Sequence, residues 1–351
     1  NIFDSGKINY NLEKNEAEIL SYRSDLFSQE QNIILKAAIT YLNLFEAIEI
    51  NKLAKNNYSV LAEHLEATKN RFDVGEVTIT DLSQARARLL KAQANEIKTR
   101  GDIEIEKSNF FSLVGKDAPN FLKFPEKKYI LPGSLKEVIQ IAVKNNPRII
   151  SYGLIKKASF SDISLSITEL LPKLDLSLSA QKAWDPNTFF NEYQNFKVDL
   201  SLKVPLYNGG ANYANVRKKR YSAIEKSKLL DNEIKKLIKE IEIVWFSLQT
   251  YKIQIKAIKA SIVASNTALA GVKEEATVGT RTTLDVLDAE QETLQEEIEL
   301  IIVKNNILSS TYELLKKMGS LSPKNLELDT QTLSYEKDYE TVKKIWLGFE
   351  G

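Results

Sequence analysis

The residues best placed to do chemistry are two aspartates, Asp285 and Asp288, that follow a Val-Gly turn. Residues three apart on a helix share a face, so both carboxylates would lie on one surface of a helix that starts after the turn. Clustered carboxylates attract cations and concentrate an electric field, which is electrostatic rather than covalent chemistry. A capping box, Thr282-x-x-Asp285, is the alternative explanation for Asp285. Asp288 lies deeper in the helix and is less well explained by capping.

Covalent and metal chemistry find little support in this sequence. It has one histidine, His64, and no cysteine, so the usual histidine and thiolate ligands of a metal site are lacking. It has no P-loop and no nucleophile elbow. We therefore expect no catalytic residue, no metal and no cofactor, and we expect His64 to be a solvated or packing residue. Glu275, Glu290 and Glu292 are expected on charged, solvated helix faces.

The charge balance excludes a further class of function. The 351 residues include 48 Lys and Arg against 47 Asp and Glu, for a net charge of +1. Nucleic-acid binders usually carry a basic excess, so none is expected as a partner. A hydrophobic share of 43% with 27% charged residues is that of a folded chain.

The elements that must position the aspartates come in two copies. Glycines and other residues recur at a constant offset of 204 without a gap, which predicts an internal duplication. The offset relates Gly6 to Gly210, Gly75 to Gly279, Gly115 to Gly319, Val74 to Val278, Asp81 to Asp285 and Leu90 to Leu294.

Both copies are predicted to be long helical hairpins. Residues 1–118 and 206–322 contain no proline, as long helices require. In each copy about 65 residues lead to the Val-Gly turn and about 35 follow it, lengths that indicate coiled coils or helical arrays. The second copy has a coiled-coil seam with polar gaps at Gln291 and Asn305.

The segment between the copies has a different character. Residues 135–170 are predicted to be helical, and apolar and polar residues then alternate over 174–181 and 196–204, which predicts two strands joined by a loop over 184–193. One strand face is apolar and the other is charged. This pattern suits a barrel wall between lipid and water, and it also suits an ordinary hairpin on a soluble core. The second copy thus has a lead-in of about 70 residues that the first lacks, so we expect a similar segment before Asn1.

Several motifs, in order along the chain, resemble the TolC family of outer-membrane efflux proteins, over about residues 1–320. The most specific match runs from Val278 to Ala289 and resembles the family's second hairpin tip. The other matching segments are Arg71–Gly75 with Ile79–Asp81 at the first tip, Leu171-Pro172 and Val204–Gly210 at strand-to-helix junctions, and Asn145–Pro147 at the inter-repeat helix.

The resemblance implies a mainly α chain with a β-barrel portion. Long antiparallel coiled-coil hairpins would form an α-barrel, and each protomer of a homotrimer would give four strands to a 12-stranded transmembrane β-barrel. The implied segments are repeat 1 over 1–130 with its tip near 74–80, an inter-repeat helix over 131–170, a transmembrane β-hairpin over 171–205, repeat 2 over 206–319 with its tip near 278–284, and a C-terminal equatorial segment over 320–351.

The implied function is the channel-tunnel of a tripartite efflux or type I secretion system. It would lie in the Gram-negative outer membrane, in contact with lipid, and its tunnel would extend into the periplasm. Export of drugs or proteins would be passive. The partners would be a periplasmic adaptor (membrane fusion protein) and an inner-membrane RND, ABC or MFS transporter. A non-channel coiled-coil scaffold of the cell envelope is the alternative.

The resemblance also implies roles for residues of the tips. Asp285 and Asp288 would form stacked carboxylate rings that close the bore and favour cations. Arg281 would link the tip to a neighbouring helix through Thr80 or Asp81. Family members can carry a further tyrosine link where this chain has Ala276. The residues expected to meet the adaptor are Val74, Gly75, Val278, Gly279 and Thr280.

Overall fold

The fold is that of a computed structural model, which describes residues 2–119, 121–125, 129–187, 190–328, 339–342 and 345. The side chains of 185–187, 190 and 191 lie outside this description, as does most of the expected C-terminal segment beyond 328. The α-helices and strands in chain order are α1 (Lys7–Asp73), α2 (Ile79–Val114), α3 (Leu135–Asn145), α4 (Pro147–Ile167), β1 (Lys173–Asn187), β2 (Phe190–Lys203), α5 (Ala211–Thr277) and α6 (Thr283–Lys317). A short 3-10 helix, Thr168–Leu170, follows α4.

The duplication is present in the structure as well as in the sequence. Helices α1 and α5 each have 67 residues, and α2 and α6 have 36 and 35. The related glycines share a left-handed backbone that disfavours any residue with a Cβ, which explains why they recur. Their φ angles are 84° and 80° at Gly6 and Gly210, 82° and 77° at Gly75 and Gly279, and 72° at both Gly115 and Gly319.

The helical stretch expected over 135–170 is two helices rather than one. Asn146 takes an extended conformation, with ψ at 121°, because it precedes Pro147. Its side chain then caps α4 by accepting hydrogen bonds from the backbone N–H groups of Arg148 and Ile149.

One compact unit comprises Asn1–Gln29 and Ser134–Glu242. Three of its helices meet at Asp162 on α4, whose carboxylate accepts from Lys14 on α1 at 3.1 Å and from Lys219 on α5 at 2.7 Å. Arg148 on α4 pairs with Glu233 on α5 at 3.0 Å. These contacts hold α4 against both long helices.

The strands of this unit form an antiparallel hairpin in which Leu174 pairs with Leu202 and Leu178 with Val198. The expected loop is shorter than predicted, because Ala183 pairs with Tyr193 and the strands continue to Asn187 and from Phe190. The apolar face of the hairpin is uncovered in this chain. Its exposed side chains include Leu176, Leu178, Phe196, Val198, Leu200 and Leu202, at 44–72%.

The other compact unit comprises Glu30–Gly133 and Ile243–Gly351, and it contains both hairpin ends. Its core includes side chains that are at most 1% exposed, namely Leu42, Leu44, Leu248, Leu314 and Leu321. Asn305, one of the two expected polar gaps of the α6 seam, is buried and donates to the carboxylate of Glu46 on α1. Gln291, the other gap, is exposed.

Within the described residues, no helix combines the length and the apolarity that crossing a membrane requires.

Candidate functional site

The first hairpin tip turns through Gly75. Its N–H donates to the carbonyl of Phe72 at 2.9 Å, and the N–H of Glu76 donates to that of Arg71 at 2.9 Å. The side chains of Arg71 and Glu76 also pair, at 3.2 Å. Helix α2 then starts with a capping box in which Thr78 and Asp81 satisfy each other's backbone N–H.

The second tip repeats this plan with the charges of its ion pair exchanged. Thr280 donates its N–H to the carbonyl of Glu275 at 3.0 Å, closing the turn at Gly279. The pair across the turn is now Arg281 with Glu275, at 2.8 Å. Thr282 and Asp285 form the capping box of α6. The two tips therefore share one backbone design and differ in the position of the arginine, which precedes the turn in the first tip and follows it in the second.

Asp285 is explained first by capping, the alternative left open by the sequence. Its carboxylate accepts from the backbone N–H of Thr282 and from the Thr282 hydroxyl, both at 2.8 Å. These two hydrogen bonds hold the pKa of Asp285 below its usual 3.8, with a smaller contribution from Arg281. The carboxyl is therefore ionised and firmly oriented at neutral pH.

Asp288 has a partner that the sequence did not suggest. Nη2 of Arg88 on α2 donates to Oδ1 of Asp288 on α6 at 2.6 Å, a contact between the two hairpins. The Asp288 side chain remains 63% exposed. Residues 200 positions apart carry no local signal of pairing, so periodicity could not have found this contact. The two aspartates thus lie one turn apart but have different partners.

The expected link from Arg281 to Thr80 or Asp81 is not formed within the chain. The guanidinium of Arg281 is held by Glu275 on its own hairpin, and the carboxylate of Asp81 is held by Thr78. Glu275 and Thr78 are the preferred partners because each lies within six residues of the side chain that it holds, so neither hairpin has to move. Thr80 is exposed beside the cap of α2.

The two valines at the tips are prominent. Val74 and Val278 are 72% and 74% exposed, next to Gly75 and Gly279, and Thr280 is exposed beside them. Single exposed valines are ordinary, but a matched pair at both tips provides two similar apolar contact points.

A buried carboxylate above the tip was missed by the sequence analysis. Glu290 was expected to be solvated, but its side chain is only 12% exposed. Lys273 on α5 approaches Oε1 at 2.8 Å, and His64 on α1 approaches Oε2 at 3.3 Å. A signal was available, because Glu290 is three residues after the seam residue Leu287 and four before Leu294, so it shares their stripe.

Glu290, Lys273 and His64 line one cleft of about 840 Å³, which we call the tip cleft. Leu287 also lines the cleft, and it packs in a small buried apolar cluster with Leu61 of α1 and Ala92 of α2. Within the described residues, no group of three or more histidines and carboxylates is arranged to hold a metal ion. Through its ion pairs the arrangement can hold the hairpins together, and it can present carboxylates such as that of Asp288 to solvent.

Comparison with known proteins gives the chain a family context. The family model described as "Outer membrane efflux protein" matches residues 1–116 and 138–320. The chain is 27% identical over 348 residues to the outer membrane efflux protein BepC of Brucella suis, covering 99% of this chain and 76% of that protein. It is 26% identical over 325 residues to the outer membrane protein TolC of Escherichia coli, covering 88% of this chain and 64% of that protein.

The fold is also similar to that of solved structures. The CmeC outer membrane channel of Campylobacter jejuni superposes with a TM-score of 0.80 at 18% identity, covering 97% of this chain and 72% of that chain. The chain thus spans between 64% and 76% of the lengths of these three proteins.

Proposed function

The chain belongs to the outer membrane efflux protein family, and we propose that it forms the tunnel wall and the gate of an outer-membrane export duct. Family membership confirms the expected outer-membrane location and the expected class, an efflux or secretion channel. It also confirms a fold of long helical hairpins with a smaller β portion.

The observation that carries the proposal is the duplicated hairpin. Two hairpins of nearly equal length end in tips of one backbone design, and both tips lie in the same compact unit. A closed ring of helices needs wall elements of matched length, and a duplication supplies them twice per chain. In a homotrimer, three copies would complete the helical barrel.

The hairpin of β1 and β2 would be the chain's contribution to a transmembrane barrel. Its exposed apolar face would contact lipid, while Lys197, Asp199 and Ser201 on the other face would line water. Four strands per protomer would give the 12-stranded barrel implied by the family, so two further strands per protomer would come from outside β1 and β2.

The gate would lie at the second tip, where threefold symmetry would bring Asp285 and Asp288 into two carboxylate rings. Rings of this kind favour cations at a constriction. Asp285 would present its full charge, because its partners are hydroxyl and amide groups. Asp288 would present less negative charge to the bore, because Arg88 neutralises its carboxylate. A link from Arg281 to Thr80 or Asp81 would require release of Glu275.

The partners would be those of a passive duct. A periplasmic adaptor would contact the exposed tips at Val74, Gly75, Val278, Gly279 and Thr280. An inner-membrane transporter of the RND, ABC or MFS type would supply the energy and select the cargo, drugs or proteins.

Fractionation of the complete protein tests the proposal. Expression in a Gram-negative host should place it in the outer membrane, should require detergent for extraction, and should yield a trimer by native mass spectrometry. A detergent-independent monomer or dimer in the soluble fraction would instead indicate a coiled-coil scaffold of the cell envelope.

A further inference from the structure

The carboxylate of Glu290 joins three helices from both hairpins above the second tip. Glu290 lies two turns into α6, shortly after Asp285 and Asp288, and Lys273 on α5 and His64 on α1 hold one oxygen each. Lys273 and Glu290 belong to the same hairpin, so their pair closes that hairpin on itself. Among the residues that the structure describes, the ion-pair contact of Glu290 with the other hairpin is the one with His64.

The Glu290 carboxylate is largely buried, so its charge has to be balanced by the groups that contact it. Burial opposes ionisation of Glu290, but the contacts with His64 and Lys273 outweigh it and hold its pKa below the usual value. Oε2 has no hydrogen-bond partner of good geometry among the described residues. Nε2 of His64 lies 3.3 Å from that buried oxygen, close enough for an ion pair when the imidazole carries a proton.

The other charged side chains around the tip cleft are already engaged or point to solvent. Arg71 pairs with Glu76, Arg281 pairs with Glu275, and Asp81 is held by Thr78. The charged groups that line the cleft are Glu63, His64 and Arg71 on α1, Asp81 on α2, Lys273 on α5, Arg281 in the tip, and Glu290 on α6. Glu63 is exposed. The carboxylate in ion-pair contact with His64 is that of Glu290.

We propose that Glu290 is a positioning residue of the gate, and that protonation of His64 tightens its hold. This inference rests on the proposed function. With His64 protonated, Glu290 is held from both hairpins, and the start of α6 with Asp285 and Asp288 is fixed in the closed position. With His64 neutral, Oε2 loses its ionic partner. The first hairpin then holds the start of α6 through Arg88 with Asp288 and through the apolar cluster of Leu61, Ala92 and Leu287, without the contact to Glu290.

The sign of the pH dependence is set by this geometry. A histidine side chain gains a positive charge as the pH falls. The hold on Glu290 is therefore strongest at acid pH, where Glu290 stays ionised because its own pKa is depressed. The gate is predicted to be more closed at about pH 5 than at about pH 8.

Single-channel recording of the complete trimer in planar lipid bilayers tests this at a series of pH values. The ratio of closed to open time in the unaltered protein should rise at least about fivefold from pH 8 to pH 5, as expected for coupled sites. His64→Gln should keep the high-pH ratio throughout, and His64→Lys should keep the low-pH ratio throughout. Glu290→Gln should remove the pH dependence, while Glu292→Gln, on an exposed neighbour, should leave it intact.

The outcomes separate this inference from the proposed function. If the unaltered protein forms channels and His64→Gln retains its pH profile, the role of His64 and Glu290 is wrong and the duct stands. If the unaltered protein forms no channel at any pH, the proposed function itself fails. A native gel establishes that each variant is trimeric. Because the two His64 variants leave the buried carboxylate in place, they test the inference even if Glu290→Gln fails to assemble.

Discussion

At the scale of single residues, two pairs at the second tip have different tasks. Thr282 and Asp285 shape the backbone, since they satisfy each other's backbone N–H groups at the start of α6, and Asp285 keeps its charge while doing so. Arg88 and Asp288 set charge alone, since their contact neutralises a carboxylate that is otherwise largely exposed. We therefore expect substitutions in the two pairs to have different effects.

Removing the cap should loosen the start of α6. Thr282→Ala should cost about 1 kcal/mol of local stability, because the hydroxyl no longer accepts the N–H of Asp285. Hydrogen exchange of the amides in the first turn of α6 measures this. Thr78→Ala, at the equivalent cap of α2, is the matched variant and should act on α2 alone. Equal exchange in the first turn of α6 in Thr282→Ala and the unaltered protein would contradict the capping role.

Acid should remove the same caps. The depressed pKa values of Asp81 and Asp285 mean that their contribution is present above the unfolded value of 3.8 and is lost as the pH falls below it. Protection of the first-turn amides, measured relative to unstructured amides at the same pH, should therefore fall in both helices below about pH 4. Asp285→Asn should abolish that pH-dependent loss of protection in α6 while leaving it in α2.

Releasing Asp288 should change ion selectivity more than stability. An exposed ion pair contributes only about 0.2–1 kcal/mol, so Arg88→Ala should leave unfolding almost unchanged. It should raise the preference for cations, because Asp288 then presents its full charge. Reversal potentials in a salt gradient measure this preference. Arg86→Ala, on an exposed neighbour in α2, is the control, and an equal shift in both variants would show a general charge effect rather than a local one.

At the scale of elements, the sequence predicted the long helices well because their signals are local. Absence of proline and the repeated glycines indicated two hairpins, and the helices begin and end close to the expected positions. The break at Asn146 also has a local cause, the following Pro147, although a single helical stretch was expected there. The partners of Asp288 and Glu290 depend on how separate helices pack, so neither spacing nor composition could identify them.

The turn at Gly279 offers a test of why the glycines recur. A Cβ at Gly279 would meet no atom within 4 Å, so Gly279→Ala would be disfavoured by its φ of 77° alone. The expected cost is about 1–2 kcal/mol. Gly271 lies inside α5, also with open space around it, so Gly271→Ala should stabilise the helix by up to about 1 kcal/mol. Thermal unfolding of both variants compares them, and a loss of stability of the same size in both would refute this explanation.

At the scale of the whole molecule, the strand pair and the long helices each had a second interpretation. An alternating strand pair fits a soluble hairpin, and long helices fit a scaffold. Family membership favours the membrane interpretation of both. The copies share one fold and differ in residue type at the tips, since the first has Val77 and Gln84 where the second has Arg281 and Asp288. We therefore propose that the gate lies in the second copy.

The central claim is that the second tip forms a cation-favouring gate of an export duct. The most direct measurement is the ion selectivity of the complete trimer in planar lipid bilayers, compared with that of the double variant Asp285→Asn and Asp288→Asn. We predict channels that prefer cations in the unaltered protein and a clear loss of that preference in the variant. Channels with the same selectivity in both proteins, or no channels at all, would contradict the claim.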